Sequence, residues 1–266
     1  MRRTSPARPL NPTLLAAGLM LAAAGATQAT VVNLRVTVQN LAPASGIAFA
    51  PLHVGFGQGL FDAFNNGQTA GAPIVSVAEG GSGTAWQPAF AAAEPNATRG
   101  VVGGLLLAGA SASLDLTVDA ALNPFFTFAS MVVPSNDFFI GNDSPTRFRV
   151  LDGNGQLLLS QINQMASDIW DAGSETFDPA AAAFVGNNDL RTPQNGVVSF
   201  NFSELSGFNG LTTGAGYVFN SGLSANTAIY RIGFRVLNTV PEPGSALLAA
   251  LGLGAITLVG RRRRCA

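Results

Sequence analysis

Carboxylates are scarce in this chain and unevenly placed. Asp168, Asp171 and Glu175 fall within eight residues, in Ser-Asp-Ile-Trp-Asp-Ala-Gly-Ser-Glu-Thr-Phe (Ser167–Phe177), and Asp178 follows at once. Ala172-Gly173-Ser174 is a turn signal between two of these acids, and Trp170 and Phe177 are apolar anchors on either side. Carboxylates on a tight, anchored loop suit calcium, a hard cation that takes roughly six to eight oxygen ligands. The same composition also describes a solvated turn, because Asp, Gly and Ser favour turns for local reasons. A second stretch sharpens the choice. In Met131-Val-Val-Pro-Ser-Asn-Asp-Phe-Phe-Ile-Gly141 a hydrophobic run enters Pro134 and delivers Asp137 onto a loop, which Phe138, Phe139 and Ile140 then pack down. If this loop and the loop at Asp171 share one end of the fold, their carboxylates converge. With one histidine and one cysteine in the chain, an oxygen-loving ion is favoured over zinc or copper.

The elements that must position these loops read as strands. Val31–Gln39 alternates, with Val32, Leu34, Val36 and Val38 on one face and Asn33, Arg35, Thr37 and Gln39 on the other. Leu52–Phe56 is a second apolar stretch, and it holds the only histidine, His53, which reads as a packed side chain rather than a ligand or base. Gly59–Asn65 is expected to be a short helix, Ile74–Val77 a short strand and Glu79–Thr84 a flexible loop. Further strands are expected at Val101–Leu107, Ser113–Val118, Pro124–Val133, Thr146–Leu151, Gln156–Ser160, Val197–Phe202 and Ile229–Leu237. Asp152-Gly153-Asn154-Gly155 reads as a hairpin turn, and Gln161–Ser167 as a short polar helix. Many short strands with few helices predict an all-β fold, an antiparallel β-sandwich, with no linker dividing it.

Composition narrows the partners. Apolar residues make up 47% of the 266, enough for a sizeable core, while charged residues are only 11% and every cation is Arg. Seven of the 14 Arg lie at the two ends, so the middle of the chain is acidic and lacks the basic patch that nucleic acid needs. The one cysteine, Cys265, excludes an internal disulfide.

Both ends look like addresses. Arg2, Arg3 and Arg8, the apolar run Leu14–Ala26 and the small residues Thr27 and Ala29 make residues 1–29 a secretory signal peptide. At the other end, residues 239–266 contain Pro241-Glu242-Pro243, then the apolar segment Ser245–Gly260, then Arg261, Arg262, Arg263 and Arg264. That segment is about 16 residues long, just short of the ~20 that span a bilayer comfortably. By the positive-inside rule the four Arg stay on the cytoplasmic side, leaving the residues before Pro241 outside. The order of Pro-Glu-Pro, apolar helix and Arg cluster closely resembles the PEP-CTERM sorting signal of Gram-negative bacteria. The resemblance implies an exosortase as partner, an inner-membrane-anchored precursor with a transmembrane helix, cleavage near Pro-Glu-Pro, and delivery to the cell surface or an exopolysaccharide matrix.

The two acidic motifs resemble the spondin N-terminal domain in its bacterial form. Pro134-Ser135-Asn136-Asp137-Phe138-Phe139-Ile140-Gly141 and Trp170-Asp171-Ala172-Gly173-Ser174-Glu175 carry the likeness, which extends over residues 30–238. It implies a C2-like β-sandwich with calcium at the loop end, held by Asp115, Asp137 and Asp171, with Glu175 in support. On that reading Asp168 and Asp178 are solvated, and the protein is a non-catalytic, calcium-binding surface or matrix module whose partner is a polysaccharide or a surface protein. Two alternatives stand beside it: an extracellular polysaccharide hydrolase, and a purely structural surface protein without metal. No Gly-x-Ser-x-Gly elbow or zinc-protease His pair supports an enzyme.

Overall fold

The computed structural model describes residues 30–240; the expected signal peptide at 1–29 and the sorting segment from Pro241 onward lie outside the described residues. Eleven strands and two helices follow in order: β1 (Val31–Asn40), β2 (Ala48–Phe49), β3 (Leu52–Gly57), α1 (Ala72–Gly80), α2 (Trp86–Ala93), β4 (Thr98–Val102), β5 (Ser111–Asp119), β6 (Phe125–Val133), β7 (Phe138–Gly141), β8 (Gln161–Met165), β9 (Trp170–Asp171), β10 (Ser199–Phe200) and β11 (Ala228–Val240). They build two antiparallel sheets. One has four strands in the order β5-β1-β11-β8. The other has seven, in the order β10-β9-β7-β6-β3-β4, with β2 also pairing β6.

The alternation of β1 does what it predicts. Val32, Leu34, Val36 and Val38 are buried against the seven-stranded sheet, while Arg35 and its neighbours face out. They meet Leu52, Val54 and Phe56 of β3, Phe126, Phe128 and Val132 of β6, and Phe138 and Ile140 of β7, which face them from the other sheet. Apolar area removed from water on both inner faces is the main drive for this packing. An all-β sandwich is therefore the observed architecture.

The seven-stranded sheet has no solvent face at its centre. Every residue of β6 from Phe126 to Val133 is buried, because two helices cover its outer side. This layer departs from the expectation at Ile74–Val77, which is not a strand but the middle of α1. Pro73 starts the helix, Ile74, Val77 and Ala78 fall on one buried face, and Gly81 at φ 61° ends it, its N–H donating to Val77 O at 2.8 Å. In α2, Trp86 and Phe90 sit four apart on the buried face, and Phe61 stacks on Phe90 with ring centroids 4.5 Å apart. A Cβ on Gly55 would lie 1.8 Å from the Phe90 ring, so the glycine in β3 is what lets the helix approach the sheet. Glu94, at the end of α2, is buried and accepts N–H bonds from Gln58, Leu60 and Phe61. That clamp holds Gly59–Asn65 as an irregular loop rather than the expected helix.

Gln161–Ser167 is likewise a correction. Its exposed Gln161 and Asn163 alternate with buried Ile162 and Gln164, a period of two that pairs with β11, so β8 is a strand, followed by a single 3₁₀ turn at Ala166–Asp168. The Asp152–Gly155 turn forms as expected, with Asp152 Oδ1 accepting from the N–H of Asn154 and Gln156. Its flanks at 146–151 and 156–160 are joined by single bridges instead of full strands.

Replacing Phe90 with Ala should cost about 3–5 kcal/mol, the usual loss for a buried phenylalanine. Gly55→Ala should destabilise on its own and cost much less in the Phe90→Ala background, because the two groups share one space. Urea unfolding of the four chains checks this, and additive losses would contradict the packing described.

Candidate functional site

The two acidic motifs meet because β9 pairs directly with β7, Phe138 opposite Asp171 and Phe139 opposite Trp170. Each loop is fastened locally. Ser135 Oγ accepts from Phe138 N–H at 3.0 Å and donates to Val132 O at 2.6 Å. Asn136 grips the main chain of Asp178 in both directions, donating to its O and accepting from its N–H, each at 3.1 Å. Asp171 Oδ1 accepts from Gly173 N–H at 2.7 Å, closing the turn, and Gly173 adopts φ 65°. A Cβ there would lie 2.7 Å from the backbone of Val197, so both the turn and the crowding require glycine.

Asp137 joins the loops. It is buried, and its Oδ2 accepts from Ser174 N–H at 2.7 Å, Ser174 Oγ at 3.3 Å and Glu175 N–H at 3.0 Å. Burial, with the charge of Asp171 beside it, pushes its pKa up to about 7 against the pull of those donors. Glu175 is 2% exposed, and neither of its carboxylate oxygens has a hydrogen-bond partner. Burial first, then the charges of Glu79 and Asp137, pushes it also up to about 7.

Asp137, Asp171 and Glu175 line one cavity of about 100 Å³, together with Asn136, Phe138, Phe177, Gln194 and Glu204. No cationic side chain lines it. Glu204, on the 3₁₀ segment Ser203–Phe208, is a fourth carboxylate that the sequence did not single out, since nothing in Phe-Ser-Glu-Leu-Ser marks it locally. Asp171 Oδ2 is held from the same side of the chain by Asn201 Nδ2 at 3.2 Å. Among the described residues, no group of three or more His, Cys, Asp or Glu side chains is placed to hold a metal ion.

Asp115 is not part of this group. It stands on the outer face of β5, directly opposite Arg35, and receives Arg35 Nε at 2.6 Å and one terminal nitrogen at 2.7 Å. That bidentate pair holds its carboxyl below the usual carboxylate range and occupies both oxygens. Asp168 and Asp178 also stay outside the cavity lining and serve local turns, bonding Met165 N–H and Ala180 N–H. His53 packs beneath the Gly81 corner, Nε2 3.2 Å from Gly81 O, and burial lowers its pKa.

Residues 239–264 match the PEP-CTERM protein-sorting motif, so Pro241, Glu242, Pro243 and Arg261–Arg264 belong to a recognised sorting signal. Such a signal implies an exported protein sorted to the cell surface, with a sorting enzyme as partner. The match leaves the spondin resemblance of residues 30–238 without independent support. No curated protein matches the chain. Among the described residues no helix is long and apolar enough to cross a membrane, and the expected span at 245–260 lies outside them.

The raised carboxyls make the ion-free protein sensitive to pH. A folded-state pKa above the unfolded one contributes stability that is complete below about 4 and lost as pH rises through about 7. In chelator, the melting temperature should therefore fall between pH 5 and pH 8, a range on the order of the two shifts. Glu175→Gln should flatten that fall, as a pH series of thermal melts will show.

Proposed function

We propose that residues 30–238 form a non-catalytic, calcium-binding module, spondin-like in its two loop motifs, that serves adhesion or matrix contact at the cell surface. The observation that carries the reading is Glu175, a buried carboxylate with both oxygens unpartnered, facing a cavity lined by three further carboxylates and no cation. A buried charge without a partner is expensive, so the group must take up a proton or a cation. The side chains around it offer oxygen donors without thiolate or imidazole, which suits calcium rather than zinc. Asp137 Oδ2 is taken up by three donors, but each Asp171 oxygen accepts one bond and both Glu175 oxygens accept none, and backbone carbonyls and water commonly complete such sites. Asp137, Asp171 and Glu175 would have to draw in from their present spacing to hold the ion, with Glu204 beside them, and the bound charge would tie the loops of the two motifs to the 3₁₀ segment.

Size weighs against the hydrolase. The cavity of about 100 Å³ is several times smaller than the roughly 300–1,000 Å³ typical of small-molecule sites. A sugar ring must also sit between two carboxylates roughly 5–10 Å apart, and these acids close on a space that a few water-sized groups would fill. A structural protein whose two buried acids simply stay protonated is the remaining rival.

On this reading the precursor is held in the inner membrane of a Gram-negative cell through 245–260 until an exosortase cuts near Pro241-Glu242-Pro243. Replacing those three residues by Ala should leave the precursor uncut, which mass spectrometry of the cell-surface and membrane fractions will read. For the ion, calorimetry on the full chain in mild detergent should show a melting temperature that rises with calcium and falls back with chelator. Asp137→Asn and Asp171→Asn should each abolish the rise, and Asp115→Asn should leave it intact. A melt that does not respond to millimolar calcium would favour the structural protein.

A further inference from the structure

The sandwich is closed along one side and open along the other. On the closed side β4 lies against β5: a Cβ on Gly100 would meet Leu114 and Leu116, and Thr98 Oγ1 donates to Thr117 O at 2.9 Å. On the open side the four-stranded sheet ends at β8, which pairs with β11 and, among the described residues, with no other strand. Facing it from the other sheet is the segment around Phe148, tied to β6 through Phe126 N–H and Phe148 O at 2.9 Å. Between them runs an open groove of about 480 Å³, lined by Arg147, Phe148, Arg149, Leu158, Ile162 and Gln164 among others.

Three features of this groove go together. First, β8 is a bare edge. Ser160 O accepts from Phe234 N–H at 2.8 Å, so the antiparallel alternation turns the main-chain groups of Gln161 and Asn163 to the free side. Edges are normally guarded by charge, proline or a bulge, and Gln161–Met165 contains neither a charged residue nor proline. Second, Gln164 is 4% exposed at the groove, and its one hydrogen bond runs from Nε2 to Asn163 O at 3.5 Å, the outer limit of such a contact. Third, the cations gather here. Residues 30–240 contain seven Arg against fourteen Asp and Glu. Arg35 and Arg191 are ion-paired, whereas Arg147 and Arg149 are exposed at the groove with no ion pair among the described residues. Arg231, exposed on β11, donates to Asn163 Oδ1 at 3.3 Å from the face of β8.

We infer that the β8 edge is a docking site for an acidic, extended polypeptide segment, which adds to the four-stranded sheet as a fifth strand. Its main chain would take up the outward N–H and C=O groups of Gln161 and Asn163, displacing the long Gln164 contact to Asn163 O, and acids at alternate positions would reach Arg147 and Arg149. A polysaccharide could meet the arginines but lacks the regularly spaced donors and acceptors that complement a strand edge. A second copy of the chain would bring like-charged arginines together. This surface lies away from the acidic cavity and does not rest on the calcium reading.

The test uses the full chain in mild detergent and a fluorescent peptide of alternating Glu and Val, read by anisotropy. Saturable binding is expected, weakened on the order of tenfold by Arg147→Ala with Arg149→Ala. A peptide N-methylated at alternate residues keeps its charge but loses the donors on one edge, and it should bind on the order of tenfold more weakly. Both substitutions are at exposed positions, so the melting temperature should not move. Equal affinity for the N-methylated peptide would overturn strand addition. Binding of polygalacturonate with none of the peptide would make the groove a polyanion site instead, and absence of binding to either would remove it.

Discussion

A strand buried on both faces has no side on which to place a polar residue freely, and β6 imposes that condition on its surroundings. Its inner phenylalanines need the four-stranded sheet, and its outer residues need a cover that a two-layer sandwich does not supply. The helices α1 and α2 are that cover. Their approach depends on small residues beneath them, Gly55 under Phe90 above all. The same strand then runs into Pro134 and launches the loop that carries Asp137. The acidic cavity is thus hung from the most deeply buried part of the molecule, which explains why its carboxylates are held in place despite their mutual repulsion.

The charge distribution has two poles with different chemistry. At the end of β7 and β9, Asp137 and Glu175 are desolvated, and the donors available to them are two backbone N–H groups and one hydroxyl, all on Asp137. Around β8, arginines stand in water without acids to match. One pole is internal and has no cation in its lining; the other is external and has no acids paired with it among the described residues. The surface-sorting signal places both in a setting where ions and foreign polymers are at hand.

What the sequence disclosed followed from local pattern. The three valines and one leucine of β1 announced its inner face, and Pro134 and the Ala-Gly-Ser turn announced the two loops that meet. Ile74 and Val77 misled because β-branched residues favour strands, while Pro73 and Gly81, which fix the helix, are informative only once the pair is read as a start and a stop. The Ala-rich α2, with Pro88 in its first turn, carries only two large buried residues, too few to show a period. Gln161–Met165 looked helical because three of its five residues are polar, and its strand period shows only in the structure, where Gln164 is turned inward. Glu204 reaches the cavity through tertiary folding and has no local mark. Asp115 was drawn in by resemblance alone, and Arg35, opposite it on β1, is the partner that the resemblance did not consider.

The last strand has a mechanical consequence. β11 is paired on both sides, by β1 and β8, and it continues to Val240, immediately before Pro241 of the sorting motif. Val31 at the start of β1 lies opposite Val240 in the register, so the entry and exit of the fold sit side by side. A load that enters at Val240 and leaves at the opposite end of the sandwich runs along β11, perpendicular to its ladder of hydrogen bonds, whereas a pull between Val31 and Val240 would part β1 from β11 pair by pair. Under the first of these loads the ladder is in shear, with all its bonds strained together.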